Sequence, residues 1–208
     1  MTDSQLSRHE PQQHDGDLAL FLSRWIRAPL KIGAVAPSSA HLGRAMARAI
    51  NPGPTETVVE LGGGTGCITR ALLDAGVAPD RLVVIEADEK LAALLRSRFP
   101  QLRIVQGDAR DLCALLAPLG IAHASSVVSG LPILSMPHDM QQRIVDQAFA
   151  LMGEDGTLVQ FTYGPVSPVM RRARVGLIAE VTSRVWRNFP PASVWRYRRS
   201  AGHAESVA

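Results

Sequence analysis

Glu60, Gly62, Gly64 and Gly66 alternate along the run Val58-Val59-Glu60-Leu61-Gly62-Gly63-Gly64-Thr65-Gly66. An apolar strand passes here into a glycine turn, and Cys67–Ala75 beyond it reads as a helix. A dinucleotide-binding loop would read GxGxxG, but the third glycine of that pattern falls on Cys67. The residues present fit GxGxG with an acid two places ahead. Glycines allow the backbone to turn sharply beneath a ligand, where a Cβ would clash. Two more acids close apolar runs downstream. Val83-Val84-Ile85-Glu86 ends on Glu86, twenty residues past Gly66, where a carboxylate can accept from both hydroxyls of a ribose. The next run ends in Gln106-Gly107-Asp108-Ala109. Each acid alone is ordinary, but three in order at successive strand ends point to a nucleoside-bearing ligand. The alternative is an α/β domain that binds some other nucleotide.

The set resembles the motifs of class I S-adenosylmethionine-dependent methyltransferases. That resemblance implies S-adenosyl-L-methionine as cofactor, S-adenosyl-L-homocysteine as product, and no metal. It implies that Glu60 organises the turn and the methionine amino group, and that Gly62, Gly63, Gly64, Thr65 and Gly66 form the turn itself. Glu86 and Ala87 would then meet the ribose, Asp108 and Ala109 the adenine, with Ser38 and Ser129 completing the cofactor contacts.

The group that receives the methyl should lie after the fourth strand, at Val127-Val128-Ser129-Gly130-Leu131-Pro132. Amino-methylating nucleic-acid enzymes carry Asn/Asp/Ser-Pro-Pro-aromatic or Asn-Leu-Pro-Tyr there, and the aromatic stacks on the base. Here Ile133 stands in place of that aromatic, which counts against a flipped nucleobase. The chain from about residue 17 to 199 is similar to the soluble bacterial phospholipid N-methyltransferases of the PmtA type, relatives of the rRNA adenine dimethyltransferases. The resemblance rests on Lys31-Ile32-Gly33-Ala34-Val35-Ala36-Pro37-Ser38-Ser39, on the Ser129 segment, on Phe161-Thr162-Tyr163-Gly164-Pro165-Val166-Ser167-Pro168, and on Asn188-Phe189-Pro190-Pro191-Ala192-Ser193-Val194-Trp195. It implies stepwise methylation of phosphatidylethanolamine to phosphatidylcholine. Transfer is an in-line displacement that needs a neutral amine. No His–carboxylate pair offers an obvious base, so desolvation is expected to lower the amine pKa. Carbonyls of Ser129, Gly130 and Leu131 and the Tyr163 hydroxyl would orient the amine, and the Tyr163 ring would hold the methylated cation.

Positioning these residues requires alternating strands and helices. Thr57–Leu61, Leu82–Glu86, Leu102–Gln106, Ser125–Ser129 and Thr157–Tyr163 read as strands. Between them, Cys67–Ala75, Glu89–Arg98, Asp111–Ala117 and His138–Met152 read as helices. That rhythm specifies a Rossmann-like, doubly wound, mostly parallel sheet covered on both faces. Leu177–Asn188 and Ser193–Arg199 should add a C-terminal antiparallel hairpin. Ahead of the core at 55–199, two helices are expected within 17–50, preceded by a disordered arm at 1–16. The whole of 17–208 is expected to form one methyltransferase domain. In the first helix, Leu18, Phe21, Leu22, Trp25 and Ile26 share one stripe, with Arg24, Arg27 and Lys31 alongside. Aromatics under a basic rim suit a helix lying in an anionic membrane surface, and able to act as a lid.

At 208 residues and 46% hydrophobic the chain can bury one core. No stretch approaches the length of a transmembrane helix, and the polar start is not of signal-peptide type. Cys67 and Cys113 lack CxxC spacing, so neither zinc nor a disulfide is expected. Together these predict a cytoplasmic protein, peripheral on the inner face of the membrane. The net charge of +3 hides +4 over 17–48, −5 over 49–170 and +7 over 171–199, a segregation that suits a polyanionic partner. Lys31, Arg171, Arg172, Arg174 and Arg196 are candidates for a head-group phosphate. His138, at a helix start, reads as a surface residue. A nucleic-acid amino-methyltransferase is the main competing reading, weakened by Ile133 and by a chain that ends soon after the hairpin. No nucleic-acid partner is therefore expected. A binding protein without catalysis and a small-molecule methyltransferase compete less well, and the oligomeric state is left open.

Overall fold

The structure is a computed structural model describing residues 37–53, 55–163, 166–169, 176–188 and 191–200, with side chains from Ala40 onward. The first expected helix, with Phe21, Arg24, Trp25, Arg27 and Lys31, lies outside the described residues, as do Arg171, Arg172 and Arg174. Helix α1 spans Pro37–Arg48. Then follow β1 (Val58–Leu61), α2 (Cys67–Asp74), β2 (Leu82–Glu86), α3 (Glu89–Arg98) and β3 (Arg103–Gln106). Helix α4 (Leu112–Leu116), β4 (Ser126–Ser129), α5 (His138–Met152) and β5 (Thr157–Thr162) continue the alternation. The hairpin β6 (Leu177–Val185) and β7 (Ala192–Arg199) ends it.

The strands form one sheet in the order β3-β2-β1-β4-β5-β7-β6. The first five are parallel, while β7 runs antiparallel to both β5 and β6. Every residue of β1, β2 and β4 is buried, because helices cover both faces and an apolar run is the only sequence that tolerates this. The edge strand β3 is only partly covered, so its ends are exposed. The strand order reverses between β1 and β4, where open α/β sheets leave a crevice beyond the strand ends.

Local chemistry sets the turns at that crevice. Gly66 holds a left-handed φ of 86° just before α2, a conformation costly for any residue with a Cβ. Asp88 caps α3 by accepting from the Leu91 amide at 3.0 Å. Helix α1 crosses α2 closely at Gly43, where a Cβ would lie 3.0 Å from Ala71 Cβ and 3.2 Å from the Cys67 carbonyl. A bulge between Val181 and Ser183 bends β6. Tyr197 of β7 is wholly buried, its hydroxyl 2.7 Å from Ser167 Oγ, and its ring stacks on Trp195. Four short 3₁₀ turns, at Pro79–Arg81, Ala109–Asp111, Ala117–Leu119 and Ile133–Ser135, escape a reading by periodicity, since three residues are too few to display one.

Candidate active site

The three acids named from the sequence all stand at carboxyl ends of parallel strands. Glu60, on β1, is wholly buried; Thr69 lies close enough to act on its carboxylate, but neither oxygen makes a hydrogen bond of good geometry. Burial pushes its pKa from 4.5 up to about 8, against the partial opposition of Thr69, with Glu86 adding repulsion. A buried carboxyl with both oxygens idle is costly, and a cation brought beside it would supply what it lacks. Glu86 ends β2. Its Oε2 accepts from the Gly64 amide at 2.8 Å and its Oε1 from the Asp88 amide at 2.9 Å. Burial raises the Glu86 pKa while these amides oppose the rise. One carboxylate therefore ties the glycine turn to the end of β2, which places Ala87 exposed beside it.

Asp108 follows β3 and behaves differently from expectation. Its Oδ1 accepts from the Arg110 amide at 2.8 Å, and its Oδ2 takes the Arg110 guanidinium at 2.8 and 3.0 Å. Burial works to raise its pKa, but the Arg110 contacts outweigh that and hold it below the usual carboxylate range. Its oxygens are thus engaged within its own turn, beside the buried Ala109.

The glycine turn itself is closely packed. A Cβ at Gly63 would lie 2.4 Å from Val84 Cγ1, and one at Gly66 2.5 Å from the Phe99 ring. Gly62, at φ +72°, would drive a Cβ to 2.6 Å from Leu131 Cδ2. Thr65 lies between them, its carbonyl accepting from Arg98 at 2.6 Å. The loop at 129–132, where the acceptor is expected, leans on this turn directly. The Gly130 amide donates to the Leu61 carbonyl at 2.8 Å, and a Cβ on Gly130 would sit 2.8 Å from the Gly62 carbonyl. Ser129 is buried, and its Oγ accepts from the Leu131 amide at 3.3 Å.

The Leu131 carbonyl is less available than expected. It already accepts from Gln160 Nε2 at 2.8 Å and from the Ile133 amide at 2.9 Å, so both its lone pairs are used. Among the described residues no donor meets the Gly130 carbonyl, which is the better acceptor. Gln160 was missed by the sequence reading. It is a buried amide on β5 whose Nε2 also reaches the Phe161 carbonyl at 3.1 Å, leaving Oε1 without a partner. A polar residue inside the apolar run Leu158-Val159-Gln160-Phe161 was the signal that could have found it.

Tyr163 lies just beyond β5 and is 45% exposed, its ring edge-on to Phe161 at 5.3 Å. Burial of the hydroxyl raises its pKa, and a hydrogen bond with Asn188 works the other way. Ile133 is buried at the start of a 3₁₀ turn, so no ring faces outward at that position. Arg196 does not stand free for a phosphate. The register of β6 and β7 sets it opposite Glu180, and its guanidinium pairs with that carboxylate. Ser38 falls in the first turn of α1. Among the described residues no cluster of His, Cys, Asp and Glu could hold a metal, and no helix is long and apolar enough to cross a membrane.

A 3-2-1-4-5-7-6 sheet with a glycine turn and strand-end acids at its switch point is the architecture of class I methyltransferases. The fold matches the 1,6-didemethyltoxoflavin-N1-methyltransferase of Burkholderia thailandensis with a TM-score of 0.66 at 16% identity, covering 96% of this chain and 93% of that one. It also matches an O-methyltransferase from Bacillus cereus, with a TM-score of 0.59 at 14% identity over 91% and 92% of the two chains. The protein is an S-adenosylmethionine-dependent methyltransferase, and the unpartnered Glu60 and the glycine turn suit that cofactor.

The sequence takes the assignment further. It is 39% identical to the ornithine lipid N-methyltransferase of Singulisphaera acidiphila over 86% of this chain and 94% of that one. The chain belongs to the family of that enzyme. The model of the ribosomal RNA adenine dimethylase family matches residues 40–114. The small-subunit rRNA methyltransferase A of Caulobacter vibrioides is 35% identical over 55% of this chain, which spans only 50% of that relative's length.

Gln160→Leu removes the side chain that holds the Leu131 carbonyl while keeping the volume. Losing one buried hydrogen bond should let the acceptor loop drift, with kcat down about tenfold. Cofactor affinity, measured by titration calorimetry, should stay within about threefold. An unchanged kcat would reduce Gln160 to a packing residue.

Proposed function

We propose that this enzyme methylates the amino group of a membrane aminolipid, at a bilayer surface on the cytoplasmic side. The likeness to an ornithine lipid N-methyltransferase along nearly its whole length carries the reading. The buried Ile133 supports it, since an aliphatic residue in that place offers no stacking platform for a base. Phosphatidylethanolamine, through its mono- and dimethylated forms to phosphatidylcholine, and the free side-chain amine of an ornithine lipid are the two acceptors to compare. Both present a primary ammonium beside an acyl-bearing backbone.

In this reading Glu60 takes the methionine ammonium of the cofactor, and Gly62, Gly63, Gly64, Thr65 and Gly66 lie beneath it. Glu86 and Ala87 meet the ribose, and Ser38 and Ser129 close the site. Asp108 and Ala109 flank the adenine, with the Asp108–Arg110 pair opening for the base. The cofactor supplies an electrophilic methyl group on a sulfonium. The protein supplies placement and dryness. The segment that the sequence reads as an amphipathic helix, with Phe21, Arg24, Trp25 and Arg27 and with Lys31 just after it, would rest on the lipid surface. Ser129 and Ile133, at the two ends of the acceptor loop, are buried, so an ammonium held against it loses hydration and gives up its proton to water more readily. The Gly130 carbonyl and the Tyr163 hydroxyl then orient the lone pair, and the Tyr163 ring faces the more highly methylated cation.

Tyr163→Phe separates those two roles. The first methylation should slow about fivefold, as for one lost hydrogen bond, while later steps that rely on the ring hold their rate. Equal rates at every step would remove the hydroxyl from the reaction.

The test of the proposal offers labelled S-adenosylmethionine with vesicles containing phosphatidylethanolamine or ornithine lipid, and in parallel with ribosomal RNA. Label in one of the lipids and none in RNA is the expected result. A second reading, methylation of adenine in rRNA, is favoured by the family match over residues 40–114. Label in RNA alone would establish it.

A further inference from the structure

A groove of about 770 Å³ runs between α1 and the far end of β6, outside the cofactor crevice. His41, Arg44 and Arg48 line it from the helix, and Arg184, Trp186 and Arg187 from the strand and the turn after it. Among the described residues no carboxylate lines it. Arg48, Arg184 and Arg187 have no ion pair among the described residues, and Arg44 reaches only His41 Nδ1, at 2.9 Å. Elsewhere on the same hairpin the arginines are used: Arg196 and Arg198 share Glu180, and Arg199 meets Glu154. Four arginines gathered without a counter-charge repel one another, which the fold tolerates only because they are exposed.

The groove is also apolar in one respect. Trp186 is 73% exposed, although it is among the largest apolar side chains in the protein. A tryptophan flanked in sequence by arginines two places before and one place after it is the composition of a membrane interface, where the ring settles at head-group depth and the guanidinium groups meet phosphates.

The groove connects to the acceptor side. Asn188, two residues after Trp186, hydrogen-bonds with Tyr163. On the helix side, Gly43, next to Arg44, packs where a Cβ would lie 3.2 Å from the carbonyl of Cys67, which follows the glycine turn. Lipid phosphates held along the groove would therefore stand beside the mouth of the acceptor loop.

We propose that the groove between α1 and the β6 end is a docking site for the phosphates of an anionic phospholipid bilayer, with Trp186 entering the interface. The proposal rests on the aminolipid reading for its purpose and adds a second membrane contact, within the folded core, to the one expected of helix 17–28.

The test uses the full chain and sedimentation with phosphatidylcholine vesicles, with and without phosphatidylglycerol. Each basic group near an anionic surface is worth roughly a fivefold gain in partition. Arg184→Ala/Arg187→Ala should therefore lose about tenfold or more in partition to the anionic vesicles. Arg96→Ala/Arg103→Ala, which removes the same charge from α3 and the opposite edge of the sheet, should lose less than about twofold. S-adenosylhomocysteine affinity within about twofold of wild type certifies that each variant is folded. On the unmodified chain, lipids carrying a fluorescence quencher should quench tryptophan emission, and Trp186→Phe should remove part of that quenching. Equal losses from both arginine pairs, or none from the groove pair, would overturn the proposal. So would a groove pair that keeps vesicle binding and loses binding to ribosomal RNA. A wild type that labels no lipid under any condition sinks the aminolipid reading instead, and the two failures are told apart because sedimentation needs no turnover.

Discussion

Gly130→Ala is expected to lower kcat by about two orders of magnitude while leaving the protein folded. The new Cβ would lie 2.8 Å from the Gly62 carbonyl, 3.2 Å from Ile68 Cδ1 and 3.5 Å from the Leu61 carbonyl. Two of these neighbours are backbone atoms where β1 passes into the glycine turn, and the Gly130 amide is already bonded to one of them at 2.8 Å. Neither can rotate away, so the loop must lift from the turn. Lifting it moves Ser129, Leu131 and the Gly130 carbonyl away from the line of transfer. A displacement on the order of 1 Å costs in-line chemistry about a hundredfold. Single-turnover rates and S-adenosylhomocysteine affinity, measured together, check this. A large fall in rate with an affinity loss below about tenfold is the expected pattern, because the proposed function puts the methyl donor on the turn and the amine on the loop. An unchanged rate would show that the loop does not position the acceptor.

Glu60→Gln is expected to act in two opposite directions. Without cofactor, a carboxyl whose pKa stands near 8 in the fold and near 4.5 unfolded penalises the folded state as pH rises between those values. Its contribution to stability is fully present below about pH 4.5, is lost progressively up to about pH 8, and changes no further above that. Glutamine cannot ionise, so the variant escapes this loss. At pH 8 the cofactor-free variant should melt on the order of 5 °C above wild type, and at pH 4.5 the two should nearly coincide. With cofactor the sign reverses. The methionine ammonium is the counter-charge that the Glu60 oxygens lack, and a charge-assisted contact in a buried site is worth roughly a tenfold to hundredfold gain in affinity. The variant should lose about that much. Wild-type binding at pH 7 should also release a proton as Glu60 ionises, visible in calorimetry as a heat that depends on the buffer. No proton release and an unchanged affinity would show that the ammonium is held elsewhere.

The fold was legible because its signals are local. Val58–Leu61, Leu82–Glu86 and Ser126–Ser129 are short apolar runs that only a doubly covered sheet can bury. The helices between them carry their own periods and stops, so Leu82–Glu86, Glu89–Arg98 and His138–Met152 match the sequence reading to the residue. Other boundaries move by one to three residues, where a strand frays or a turn begins. The ends of the strands were legible too, since a glycine turn interrupts the run after Leu61, Glu60 and Glu86 fall within the last two positions of β1 and β2, and Asp108 follows β3.

The sequence by itself determined the sheet, the glycine turn, the three acids at its edge and the turn that follows β4. Each of these follows from neighbours a few positions apart, governed by backbone freedom and burial period. Only the tertiary structure decided how they meet. Gln160 reaches back 29 residues to occupy the Leu131 carbonyl, and Gly130 closes on the Gly62 carbonyl. The β6–β7 register gives Arg196 to Glu180, while α1 and the end of β6 bring Arg44, Arg48, Arg184 and Arg187 to one groove. Such contacts join residues far apart along the chain. Hydrogen-bond geometry and charge act over a few ångströms of space, and local sequence periodicity does not encode which distant residues will share them.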